Sequence, residues 1–282
     1  MAKLDIDVDN LYPVLKFHGP SGKLSKLINA YSLSSGNTCP GAKDCLSRAD
    51  RDTGKIKDYG LFRCYMASLE AIYPSLRETV WHNTELMRSM KSREEIVDLI
   101  ERSLIAHKPE FIAGFRGIMR PHIGGDFFSK DYAMAMNDFC HKHPEMLVYC
   151  YTKSPHLFMK KDRILKEDIA PNFVINVSSG GRYDYLNAYF TEAHIVYSKE
   201  EAYECDLTID HDDTLAMNPA SGDFAILLHG NQPKGSHAQE ALKLLRRNGF
   251  TGYNQKHKSK DLDIKTMSLY NKIMSTQVAV TQ

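Results

Sequence analysis

Three of the chain's six cysteines, Cys39, Cys45 and Cys64, fall within one stretch of 26 residues, with five residues between the first two and eighteen between the second and third. Thiolates bind soft transition metals and iron–sulfur clusters, and the Pro40-Gly41 that follows Cys39 lets a loop fold back so that several sulfurs converge. Zinc ribbons and fingers use close pairs of ligands twice over, and the second pair is missing from this spacing. A loop with three cysteines suits a [4Fe-4S] cluster better, one iron then being left to a fourth ligand, to solvent or to a substrate. Cys150, near the end of an apolar run, is the best fourth ligand the chain offers. Cys140 and Cys205 stand late in helical stretches and read as packing residues.

Other groups at turns carry usable chemistry. In Gly124-Gly125-Asp126 two glycines allow a ligand to approach the backbone, and the carboxylate can take an ammonium or a metal; a plain strand-to-helix turn has the same composition. His122 and His229 stand where an imidazole can ligate iron, shuttle protons or simply pack. Ser178-Ser179-Gly180-Gly181-Arg182 offers hydroxyls, amide donors and a guanidinium to a carboxylate or phosphate. His211-Asp212-Asp213, with Asp206 and Asp210, lacks the glycine and spacing of a calcium loop and reads as a surface acidic turn. Lys256-His257-Lys258-Ser259-Lys260, preceded by Tyr253, reads as a solvated run and not as a nucleic-acid surface. Trp81 and the tyrosines of the helices read as core.

The elements that must position these groups follow from the apolar pattern. A first strand within Lys23 to Leu33 leads into the cysteine loop, and Arg48 to Tyr59 is polar enough to be an exposed excursion. A helix opens at Cys64 and runs to Pro74. A second covers Leu76 to Met90, and a third, with Ser92 and Glu95 as a capping box, reaches His107. Strands are expected at Phe115–Arg120, Met146–Tyr151, Phe173–Val177, Ala193–Tyr197 and Phe224–Leu228, and helices behind the N-caps Ser129, Ser198 and Ser236. Strand, polar turn and helix in alternation predict a mostly parallel sheet, an α/β fold of the partial or complete (β/α) barrel type. Ligands in such folds bind at the carboxyl ends of the strands, so Cys39, His122, Asp126, Thr152, Ser154, Ser179, Arg182 and His229 are expected to face one mouth.

Residues 1–22 read as an arm with a short strand at Val14–Phe17, 23–250 as the barrel, and 251–282 as a Lys-rich tail with a helix at Met267–Met274. With 36 basic and 35 acidic side chains the formal net charge is +1, so no global field draws the chain to nucleic acid or to an anionic membrane. No stretch approaches the roughly 20 apolar residues of a membrane span, and the first residues lack the apolar core of a signal peptide. A cytoplasmic protein is expected, in which clustered thiols hold metal or do redox chemistry in preference to forming disulfides.

TCPGAKDC (38–45), RCYMASLEAIYP (63–74), HIGGDFFSKDYAMA (122–135), YCYTKSP (149–155) and FAILLHGNQPKGS (224–236) resemble the phage "gene product 88" family, over about residues 24 to 248. That family is in turn similar to radical S-adenosylmethionine (SAM) proteins. The resemblance implies a [4Fe-4S] cluster on Cys39, Cys45 and Cys64 at the mouth of a radical-SAM-like barrel, in an iron–sulfur protein with a redox or auxiliary metabolic role. It also implies that Gly124, Gly125 and Asp126 stand where radical SAM enzymes receive the SAM amino group, although those enzymes carry a Glu there and a tighter cysteine spacing. An active radical SAM enzyme and a structural zinc site in a nucleic-acid-associated phage protein stay open as alternatives. Partners are then a small-molecule ligand or a redox protein.

Overall fold

In the computed structural model, residues 12–18, 24–58, 60–160, 163–164, 169–250, 252 and 259–280 are described. The first strand, β1, is Ile28–Tyr31. Ser47–Ala49 (β2) and Ile56–Asp58 (β3) pair as an antiparallel hairpin. Three helices follow, α1 (Tyr65–Ile72), α2 (Pro74–Ser89) and α3 (Arg93–His107). Next come β4 (Gly117–Pro121), α4 (Lys130–Lys142) and β5 (Met146–Thr152). A small hairpin, β6 (Met159–Lys160) with β7 (Arg163–Ile164), precedes β8 (Phe173–Ser178) and β9 (Thr191–Val196). The remaining elements are α5 (Lys199–Glu204), β10 (Thr208–Ile209), α6 (Thr214–Met217), β11 (Phe224–Leu227), α7 (His237–Arg247) and α8 (Ser259–Val280).

Seven strands form one parallel sheet in the order β1-β4-β5-β8-β9-β11-β10. The register brings Ile28 beside Ile118 and Cys150 beside Ile175. Five successive strands lie side by side in chain order, as in a barrel, but among the described residues the sheet stays open, with β1 and β10 as its edges. Two features keep it so. β10 is only two residues long, which is too little edge to pair onward. Helices also cover both of its faces, so that neither is left to line a barrel interior: on one, Ala216, Met217, Tyr270 and Ile273 of α6 and α8 pack with Ile28, Leu147, Tyr149 and Val174. The opposite face carries α3 and α4, with Leu99, Ile100, Met136 and Phe139 against Met119, Val148 and Cys150. Burial on both faces explains why β5 reads as an unbroken apolar run instead of alternating.

The four serine caps expected from the sequence form. Ser92, Ser129, Ser198 and Ser236 accept from the amides of Glu95, Tyr132, Glu201 and Gln239. Glu95 reaches back to the amide of Lys91, at 2.8 Å, one residue before the cap. The segment Val14–Phe17 makes only one bridge, Phe17 to Tyr31. The polar stretch after Arg48 is a hairpin with Ala49 buried, not a wholly exposed excursion. Trp81 is only half-buried, its ring under the guanidinium of Arg51 at 5.1 Å, and Tyr73 and Tyr203 face solvent. The tail helix is longer than expected and is docked on the core, Tyr270 donating to the Glu145 carbonyl at 2.6 Å. Tyr253, Lys256, His257 and Lys258 lie outside the described residues.

Candidate functional site

The chain leaves β1 and doubles back over the carboxyl ends of the sheet. Leu33 donates to the Gly124 carbonyl at 2.9 Å, and Gly124 donates to the Ser32 hydroxyl at 3.0 Å, which stitches the loop to the end of β4. Thr38 turns it, its hydroxyl bonding the Ser34 carbonyl at 2.8 Å. The loop then crosses the end of β5, where Gly41 lies so close to Lys153 that an added Cβ would stand 1.8 Å from its carbonyl oxygen. Beyond this it pairs with the turn after β8: Ala42 bridges Gly181, Asp44 donates to Gly180 and Arg182 donates to Gly41, the last two at 2.9 and 2.8 Å. The end of β11 holds the far side, with Gln232 accepting from the Arg63 amide at 2.8 Å.

Within this loop the three cysteines are free thiols, each partly exposed, and close enough that the charges of Cys45 and Cys64 act on Cys39 and that of Cys45 acts on Cys64. Cys39 accepts from the Gly36 amide at 3.3 Å. Burial pushes its thiol well up, and the neighbouring charges of Asp126, Cys64 and Cys45 push it further. Burial likewise raises Cys45, opposed by the ammonium of Lys153. Cys64 occupies the N-cap of α1 and is pushed up to about 12 by burial and then by Cys45, while the amides of Ala67 and Met66 at the helix start offset part of this. Cys45 thus opposes ionisation of both other thiols, and Cys64 that of Cys39. A cation placed among them would reverse that balance. Among the described residues no group of three or more His, Cys, Asp and Glu side chains is set to hold a metal ion.

Asp126 is the brace beneath the loop. One carboxylate oxygen accepts from the Phe127 amide at 2.7 Å and the Thr152 hydroxyl at 2.6 Å, and the other from the Lys153 amide at 2.9 Å and the Ser154 hydroxyl at 3.2 Å. Burial nonetheless lifts its carboxyl to about 6, because those four bonds only partly offset lost hydration. Lys153 is the local cation, its ammonium bonded to the Ser178 carbonyl and hydroxyl at 3.1 and 2.9 Å and to the Ser179 carbonyl. Sequence reasoning singles out Thr152 and Ser154 on either side of Lys153 but misses the lysine, whose role depends on β8 lying next to β5.

The chain belongs to the Gene product 88 family. The family's sequence model matches residues 14–247, which includes every residue named above from the cysteine loop to Gln232. This bears out the phage-family resemblance; it carries no radical SAM likeness with it. Neither a curated protein nor a solved structure matches the chain.

The remaining expected residues separate into those at the mouth and those elsewhere. Gly124 and Gly125 are at the mouth, but their open space is filled by the chain itself. A Cβ on Gly124 would stand 2.2 Å from the Met66 side chain, and one on Gly125, at φ +85°, 2.7 Å from Leu33 and Thr38. His122 is buried with φ +63°, its Nε2 bonded to the Tyr132 hydroxyl at 2.7 Å, and burial followed by the charge of Arg120 lowers it to about 3. It is a neutral packing residue. His229 bonds the Leu227 carbonyl at 3.0 Å, with its ring 4.8 Å from that of Tyr65. Ser179 accepts from the Ile195 amide at 2.9 Å, and Arg182 donates to the Ala42 carbonyl at 3.1 Å. Cys150 lies in the core on the α4 side with Cys140, while Cys205 is exposed.

The acidic run at 210–213 is not a surface turn. Asp213 is fully buried and pairs with Arg120, and Tyr149 donates to the same carboxylate oxygen at 2.9 Å. Asp210 is buried too and accepts from the Ala216 amide at 3.1 Å, which ties α6 into the sheet. Glu70 is a third buried acid that sequence reasoning misses; it accepts from the Ser35 amide at 2.8 Å, and burial lifts it to about 7.

Proposed function

We propose that Cys39, Cys45 and Cys64 ligate an iron–sulfur cluster of the [4Fe-4S] type. The observation that carries this reading is that three thiols from one loop lie at the carboxyl edge of a parallel sheet, within electrostatic reach of one another, each raised by burial and by at least one acidic neighbour. The donor set suits the group: soft sulfurs, amides of Gly36, Met66 and Ala67 turned toward them, and the Lys153 ammonium beside Cys45 to temper the negative charge. A cluster also suits the spacing better than one zinc ion, because the second close pair of ligands that zinc ribbons and fingers use is missing.

When bound, the cluster would supply one-electron redox chemistry with one iron short of a cysteine ligand. The chain's own part is to hold the sulfurs in place through the loop's bonds to β4, β5, β8 and β11, with each cysteine left partly exposed. Five parallel strands in chain order suit a partial barrel of the radical SAM type, and a phage protein of this kind would work in the reducing cytoplasm of its host. SAM has no part in the reading, since Gly124, Gly125 and Asp126 already make their close contacts and hydrogen bonds within the chain.

Anaerobically purified protein is expected to be brown, with iron and acid-labile sulfide in equal amounts, and to lose both on replacement of Cys39, Cys45 or Cys64 by Ala. Cys140→Ala should keep them. Colourless protein with stoichiometric zinc, or iron retained in all three single variants, would overturn the proposal.

A further inference from the structure

Beside Cys39, on the outer side of the loop, the surface opens into a cavity of about 300 Å³ lined by three arginines, Arg48, Arg88 and Arg182, and by Phe128, Pro40 and Leu46 among others. The arginines arrive from unconnected parts of the chain: Arg48 from β2, Arg88 from the last turn of α2 and Arg182 from the turn after β8. Two of them are aimed by bonds that leave most of their N–H groups over. Arg88 donates through Nη2 to the Asn37 carbonyl at 2.7 Å and stacks over the Phe128 ring at 5.4 Å, and Arg182 uses only Nε on the Ala42 carbonyl. The described lining contains no Asp or Glu.

Three exposed guanidiniums thus line one cavity whose described wall holds no carboxylate to pair with them, which leaves their donors open to an anion from solution. Guanidinium forks match the oxygens of carboxylates and phosphates, and the apolar wall of Phe128, Pro40 and Leu46 suits the carbon body that carries such a group. The volume is at the lower end of small-molecule sites, roughly 300 to 1,000 Å³. From these observations we infer that this cavity binds a small organic oxyanion, a carboxylate or phosphate on an apolar or planar body, with its charged end among Arg48, Arg88 and Arg182 and its body on Phe128. The inference goes beyond the cluster reading and does not need it, because no sulfur takes part in holding the ligand. If the cluster is also present, the ligand would lie against one of its cysteines.

The test is calorimetric titration of the purified full chain with phenyl phosphate, with benzoate and with neutral benzyl alcohol. The two anions separate the phosphate and carboxylate forms of the ligand, and the alcohol removes the charge. Saturable binding of at least one anion is expected, with none of the alcohol. Affinity should fall about tenfold or more in Arg48→Gln and in Phe128→Leu, and stay unchanged in Arg247→Gln, which removes an exposed arginine at the end of α7. Melting temperatures of the variants show that they are folded. Arg48→Gln is the decisive one, since its side chain stands on a hairpin edge and is exposed. Absence of saturable binding for both anions, equal binding of the alcohol, or affinities in Arg48→Gln equal to those of Arg247→Gln would overturn the inference. Iron content is read separately, so a failed anion site and a failed cluster site give different results.

Discussion

Replacing Asp213 by Asn removes one charge from a pair that has no water to fall back on. Arg120 and Asp213 are both buried, on β4 and at the start of α6, and Tyr149 shares the carboxylate. Asn is nearly isosteric and tolerates the backbone φ of +65° at this position, so the substitution leaves shape and turn intact and isolates the charge. What remains is a guanidinium stacked 4.8 Å from the Tyr151 ring centre with no counter-ion, in a place where breaking a buried pair costs about 3–5 kcal/mol. Out of a total stability of about 5–15 kcal/mol this is a large fraction, and for a chain of this size it corresponds to a fall in Tm of about 5–8 °C. Urea unfolding should show a lower midpoint at an unchanged slope. The second half of the test is the double variant Arg120→Met with Asp213→Asn. If the cost arises from an orphaned charge, removing that charge should recover more than half of the loss. A single variant costing under about 1 kcal/mol, or a double variant that simply adds the two separate losses, would refute the reasoning.

Gly124→Ala should cost about 1–3 kcal/mol, because the new methyl group meets the Cγ and Cβ of Met66 as well as the mobile Cε at its end; adding Met66→Ala should then cost less than Met66→Ala does in the parent, as measured by urea midpoints. Glu70 has a carboxyl at about 7 against an ordinary 4.5, so the folded chain binds its proton more tightly than the unfolded chain does. Its stabilising contribution is full below about pH 4.5 and is lost as pH rises through 7, by about 3 kcal/mol at roughly 1.4 kcal/mol per pH unit; Glu70→Gln should flatten the stability profile between pH 5 and 8, and an unchanged profile would refute the assignment.

How much of this was legible in the chain depends on how far apart the interacting residues stand. The serine caps lie three residues from the amides they accept from, and all four are where the sequence puts them. The parallel strands are legible because burial on both faces leaves unbroken apolar runs such as Met146 to Tyr151. The return of the cysteine loop over the strand ends follows from the fold class. Asp213 was misread because its partner Arg120 is 93 positions away, and a local pattern of acids beside a histidine says solvent. The failure of the sheet to close is of the same kind, since it turns on α6 and α8 filling one face, which no strand records.

Gly124 and Gly125 show a subtler gap, and it bears on what the loop is for. A pair of glycines before a carboxylate says correctly that something must come close to the backbone. It does not say what. Here the close neighbours are Met66, Leu33 and Thr38 from the elements that carry or flank the cysteines, and the carboxylate bonds the end of β5. The same residues that would make room for a ligand therefore clamp the cysteine loop to the sheet from below. Met66 is two positions from Cys64 and Thr38 is next to Cys39, so two of the three sulfurs are fixed through side chains that rest on these glycines. Because a metal or cluster site loses affinity when its ligands must be ordered on binding, a clamp of this kind favours pre-positioned thiols over a loop that folds around its cargo. Loosening the clamp with Gly124→Ala should then lower iron retention even though no ligand is changed, while Gly222→Ala, strained by its φ of +68° but meeting no neighbour, should not.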